Sequence, residues 1–153
     1  MTNPIVSIVA IAALFLVGFQ ETAEGAASDV SEASKEASTD FANARKDANE
    51  TILKANEGEA DAINSYASSD TEAQATLAAA EADAMSERAR AEYYLAMATA
   101  RGNYMLAARK CDALDRGAGR MACKNTADTM LAIASGDAAA MRDAALMAAA
   151  DRE

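Results

Sequence analysis

Apolar residues recur at intervals of eleven along the middle of the chain. Val30, Phe41, Ile52 and Ile63 keep this step, as do Ala33, Ala44, Ala55, Tyr66 and Leu77. Met85, Ala96 and Ala107 continue the phase of the first set. Eleven residues in three turns is about 3.67 per turn, which gives a nearly straight or right-handed seam instead of a left-handed supercoil. The spacing predicts a long amphipathic helix over 29–66 with a very thin apolar stripe, capped by Asp29 with Glu32. One large residue every three turns does not hold a helix down by itself. Gly58 and the Ser68-Ser69-Asp70 cluster weaken it further. This segment is therefore expected to lie along a partner or to be partly disordered. Ser69-x-x-Glu72 is a capping box that restarts a helix near Asp70, with a continuous helix over 29–115 as the alternative.

The second half has a fuller pattern. Met85, Ala89, Tyr93, Ala96, Ala100, Tyr104, Ala107, Cys111 and Leu114 follow steps of four and three, one face of a helix. A break at Asp115-Arg116-Gly117-Ala118-Gly119 precedes a second face of Cys123, Ala127, Met130, Ala134, Ala138, Met141, Ala145 and Ala149. The two faces mirror about Gly117. Cys111 meets Cys123, Ala107 meets Ala127, Tyr104 meets Met130, Ala100 meets Ala134 and Tyr93 meets Met141. This is the register of an antiparallel αα-hairpin with its turn at 116–119. Small residues face small ones, and each aromatic ring faces a flexible thioether. Gly136 is a candidate interruption of the second helix, with Asp137 capping its continuation.

Composition changes the picture of the core. Of the 153 residues 52% are hydrophobic, but 43 are alanine. Beyond residue 20 only 25 larger apolar side chains remain, 18 of them from Met85 onward. Each is worth roughly 1.5–3 kcal/mol when fully buried, so a thick multi-layer core is not expected. The expected fold is all-α: elongated helices with a C-terminal antiparallel hairpin. Charge divides the chain in the same place. Glu21 to Asp83 holds 15 acidic and 4 basic residues, a net of −11; Met85 to Glu153 holds 9 and 10, a net of +1. So acidic a first half repels nucleic acid phosphate, and no nucleic-acid partner is expected.

Ile5 to Phe19 is an uncharged apolar run with no Lys or Arg before it. As a helix it spans about 22 Å, short of a bilayer core of about 30 Å, and its length suits the apolar region of a secretory signal peptide. Ala23-Glu24-Gly25 and Gly25-Ala26-Ala27 are small-residue patterns suited to cleavage. The alternative is a retained anchor with membrane contact through residues 1–20. Residues 1–27 thus form a leader or anchor, 28–68 an acidic helix and 69–153 the hairpin. Either reading places the remainder outside the cytoplasm, in the periplasm or envelope, where an even number of cysteines reads as a disulfide. Cys111 and Cys123 flank the turn evenly, on facing stripes, with small neighbours at Ala107 and Ala127. They are expected to pair; two buried thiols in a cytosolic protein are the alternative.

Catalytic chemistry finds little support. The absence of His removes His-based triads and imidazole metal sites. The C-x11-C spacing is far from a redox C-x-x-C. Asp61 to Glu72 fails as a calcium loop, because Ile63 and Tyr66 stand where an oxygen ligand and a glycine belong. Asn49-Glu50-Thr51 matches a glycosylation sequon, but such a triplet arises easily by chance and falls mid-helix. No enzyme activity, cofactor or metal is expected.

Tyr104, Ala107, Lys110, Cys111, Ala113 and Leu114, with Cys123 following, form a Tyr-x-x-Ala-x-x-Lys-Cys-x-Ala-Leu…Cys segment. It resembles small Ala-rich bacterial cell-envelope proteins labelled TolA-like, over about 25 residues. The second cysteine comes one residue late for that pattern, and Gly117-Ala118-Gly119 replaces the usual turn. The resemblance implies export and helical structure and brings no active site. The expected role is an exported structural or interaction protein of the envelope, with a protein partner or self-association. The alternatives are a single-pass accessory subunit of a membrane complex and a stress protectant, since 11-residue Ala-rich repeats also resemble desiccation-protection proteins.

Overall fold

A computed structural model describes residues 23–66 and 71–152. Three α-helices fill nearly all of them: α1 Ala23–Ser65, α2 Thr71–Asp112 and α3 Ala118–Ala150. Alanine is the best helix former, and the hydroxyls scattered among the alanines do not break the ladder. Thr39, Thr51, Ser65, Thr76, Thr99, Thr126 and Thr129 each donate to the carbonyl four residues back. Gly58 and Gly136 both lie inside unbroken helices, so neither interrupts its element.

α1 and α3 both pack on α2, and among the described residues they do not pack on each other. The molecule is a single layer with α2 in the middle. α1 runs antiparallel to α2: Arg88 donates to Asn56 Oδ1 and pairs with Glu59, while Gly102 lies against Ala37. A continuous helix over 29–115 is thereby excluded, since the chain reverses between Ser65 and Thr71. The Ser68–Asp70 restart signal falls outside the described residues. The expectation that 28–68 lies along a partner or is partly disordered is met within the chain: α1 is helical and lies along α2, burying Ala33, Ala37 and Ala48.

The buried side chains explain this shape. Among the described residues they are eleven alanines and Cys111, with no larger apolar side chain. Most of them fall in rows of the same 11-residue step. Ala37 and Ala48 on α1 face α2; Ala91 and the buried Gly102 form one row on α2; Ala89, Ala100 and Cys111 form another on its opposite side; Ala127, Ala138 and Ala149 form the row on α3. Rows of methyl groups let the helices approach closely. A Cβ built on Gly102 would stand 3.2 Å from Ala37 Cβ. Phe41 and Ile63, from the row of large residues expected to make the seam, are exposed and flank it instead.

The leader-or-anchor expectation for residues 1–27 rests on an apolar run outside the described residues. α1 already begins at Ala23, ahead of the expected boundary. Among the described residues no helix is long and apolar enough to cross a membrane.

Candidate functional site

The α2–α3 hairpin holds the residues singled out from the sequence. α2 closes with Ala113 N donating to Arg109 O and Leu114 N to Cys111 O, at 3.3 and 3.1 Å. The turn then passes through Gly117, whose φ of 153° and ψ of −163° suit a residue without Cβ. Met121 N donates to Gly117 O at 3.2 Å, opening α3. Arg120 reaches back across the turn, its Nε donating to Leu114 O at 2.8 Å. Beyond this, Cys111 and Cys123 form a disulfide with Cα atoms 5.6 Å apart. Cys111 is 1% exposed, the most buried large side chain among the described residues.

The register set at this tip persists along the hairpin. Lys124 Nζ lies 2.6 Å from Asp112 Oδ1. Asp128 stands beside Tyr104, hydrogen-bonding its hydroxyl and repelling the phenolate, which pushes the Tyr104 pKa above its ordinary value. The Arg142 guanidinium stacks 4.5 Å over the Tyr93 ring, and Arg152 lies 3.5 Å from Glu81. Each pair mirrors about Gly117 to within a residue or so.

The structure distributes the expected interface residues unevenly. Ala100 and Ala127 are buried; Tyr93, Tyr104, Ala107 and Ala134 are half-buried. Met130 and Met141 are 55% and 56% exposed, and Ala96 is exposed too. The thioether-on-ring pairing is therefore corrected. Tyr104 is met by Asp128 and Tyr93 by Arg142. The reason lies in the row at 127, 138 and 149. Positions three residues beyond a buried one turn some 60° away from it, while those four beyond, Leu131 and Arg142, stay half-buried.

Among the described residues no group of three or more acidic or Cys side chains is placed to hold a metal. An open groove between the start of α1 and the end of α2 is lined by Val30, Ser34, Lys35 and Lys110, both lysines being exposed. What α3 does present is a set of exposed apolar side chains. Met121, Met130, Ile133, Met141 and Met147 are exposed along α3, five of the nine large apolar residues so exposed among the described residues. Sequence reasoning missed these because it assigned Met130 and Met141 to the interior and gave Met121, Ile133 and Met147 no place. Comparison with protein-family models, curated proteins and solved structures finds no match.

Proposed function

We propose that the protein is an exported structural or interaction protein of the cell envelope. It works as a rigid helical layer whose disulfide-pinned hairpin displays an apolar edge to a protein partner. The observation that carries the reading is the Cys111–Cys123 bond. The two cysteines sit on facing rows at 5.6 Å between Cα atoms, a normal disulfide separation, and such bonds persist in oxidising compartments. The apolar run at 5–19 supplies a route to such a compartment. The exposed apolar residues of α3 supply the means of interaction.

Fractionation of cells expressing the full chain tests this, with thiols alkylated before lysis and peptides identified by mass spectrometry. The expected result is chain in the exported fraction with residues 111 and 123 recovered as one linked peptide. Chain confined to the cytoplasm with two alkylated cysteines would refute the reading. The same experiment reports the native N-terminus. A start near Ala26 or Ser28 describes a released protein, and retention of Met1–Gln20 describes a membrane-held subunit.

A further inference from the structure

Every methionine of α3 is exposed. Of the seven methionines among the described residues, three lie on α2 and four on α3, and α1 has none. Met85, Met97 and Met105 on α2 are half-buried. Met121, Met130, Met141 and Met147 are 64%, 55%, 56% and 65% exposed. Leu131 and Leu146, the two leucines of α3, are half-buried. Leucine and methionine are nearly equal helix formers, so propensity does not account for that division. At 100° per residue the four methionines spread over about 200° of the helix, all turned away from the row Ala127, Ala138 and Ala149. What they have in common is an accessible sulfur.

The rest of the chain is short of other readily oxidised groups. It has no Trp, no His and two Cys. Both cysteines are held in the disulfide, so the thiol ladder that ends in irreversible sulfonic acid has no starting point. Thioethers remain as the side chains most open to an oxidant. Oxidation of methionine does harm where it sets a polar sulfoxide inside a core. Among the described residues the buried side chains are eleven alanines and Cys111, with no thioether. A sulfoxide on α3 stands in water, and the alanine rows on both sides of α2 are untouched by it.

We infer that Met121, Met130, Met141 and Met147 are modification sites at which the folded chain takes up oxygen from peroxide-type oxidants. A sulfur lone pair attacks a peroxide oxygen: the S–O bond forms, the O–O bond breaks, and after proton transfer water or an alcohol leaves. The sulfur is oxidised by two electrons and the peroxide is reduced by two. Methionine sulfoxide reductases, one class for each sulfoxide epimer, reverse the step with electrons from thiols. α3 is thus a renewable oxidant-accepting surface, and both seams keep their packing while it is oxidised. The inference goes beyond the interaction role proposed above and concerns the free chain.

Hydrogen peroxide in excess over the purified, disulfide-intact chain tests this, with peptide mapping by mass spectrometry at intervals and circular dichroism melting of the same samples. Met121, Met130, Met141 and Met147 should each gain one oxygen atom, about threefold or more faster than Met85, Met97 and Met105. With the four α3 sites oxidised, Tm should move by no more than about 3 °C, as for other changes at exposed positions. Sulfoxide reductases of both epimer classes, supplied with dithiothreitol on a portion taken after melting, should remove the added oxygen from all four. A variant carrying Met121→Leu, Met130→Leu, Met141→Leu and Met147→Leu together should melt as the wild type does and lose the fast phase of oxygen uptake. Oxidation of the α2 methionines at the same rate, or a Tm that falls in step with oxidation of α3, overturns the inference from the wild type alone. A folded variant that keeps the fast phase overturns it as well. None of these results touches the exported, disulfide-bonded reading, because compartment and thiol state are measured separately.

Discussion

Reducing the disulfide is expected to loosen α3 while α1 stays in place. The bond joins residues twelve apart, and closing a loop of that size stabilises the folded state by about 3 kcal/mol in the chain-entropy account. The buried row that holds α3 on α2 is Ala127, Ala138 and Ala149. At about 0.8 kcal/mol per buried carbon, those three methyls contribute roughly 2–3 kcal/mol. The covalent link is thus worth about as much as the whole buried row beside it. Hydrogen exchange read by mass spectrometry, with and without reductant, resolves the effect by helix. Loss of about 3 kcal/mol should speed exchange of the α3 amides by about two orders of magnitude. Amides of α1 should hold their protection, because α1 packs on the opposite side of α2 and does not touch α3. Cys123→Ser should reproduce the pattern without reductant. Exchange in α3 unchanged within about threefold, or protection lost equally in α1 and α3, would refute the reasoning.

Gly102→Leu should separate α1 from α2, since the first added carbon already meets Ala37 Cβ at 3.2 Å; the expected loss is about 1–3 kcal/mol or more, read as a lower Tm with the disulfide intact. The hydrogen bond from Lys124 holds the Asp112 carboxyl below its ordinary value of 3.8. A depressed folded value means that the pair stabilises the tip above the ordinary carboxylate range and that this contribution is lost as pH falls through the folded value. Lys124→Met should accordingly flatten the acid side of the Tm-against-pH curve, and an unchanged slope would remove the pair from the account. Arg142→Leu deletes the cation over the Tyr93 ring and should cost up to about 1 kcal/mol, measured by urea unfolding alongside Tyr93→Leu and the double variant; additive losses would show that the two groups do not interact.

The hairpin was legible in the sequence because its signals were redundant. Two cysteines, a glycine turn and apolar faces all pointed to one centre at Gly117, and the pairs from Lys124–Asp112 to Arg152–Glu81 keep that centre. The α1–α2 seam was not legible in the same way. Val30, Phe41, Ile52 and Ile63, the large members of the 11-residue pattern, dominate its hydrophobic signal. Close helix approach selects small residues, so the seam lies along Ala33, Ala37 and Ala48, with Phe41 and Ile63 displaced to its margin. The usable signal was on α2, where Ala91 and Gly102 repeat the step on the side opposite Ala89, Ala100 and Cys111. A helix with small rows on two opposite sides has two neighbours. Met130 and Met141 were misplaced for a related reason: steps of four and three permit either of two adjacent positions. The one that faces inward was set by Asp128 and Arg142, polar residues that a hydrophobic pattern passes over.

Three antiparallel helices also determine how the molecule bears load. An even number of passes returns a chain to the end where it started, whereas three carry it across. Ala23 lies near the hairpin turn and Ala150 lies a full α3 away, about 50 Å at 1.5 Å per residue. Tension applied between those points pulls α1 past α2 and α2 past α3, along both seams rather than across them. Rows of methyls on straight helices must then slip together over their whole length, whereas a peeled helix gives way one turn at a time. The disulfide sits at the turn, where it stops α3 from peeling off α2. A thin layer built this way is stiffest in the direction in which it spans.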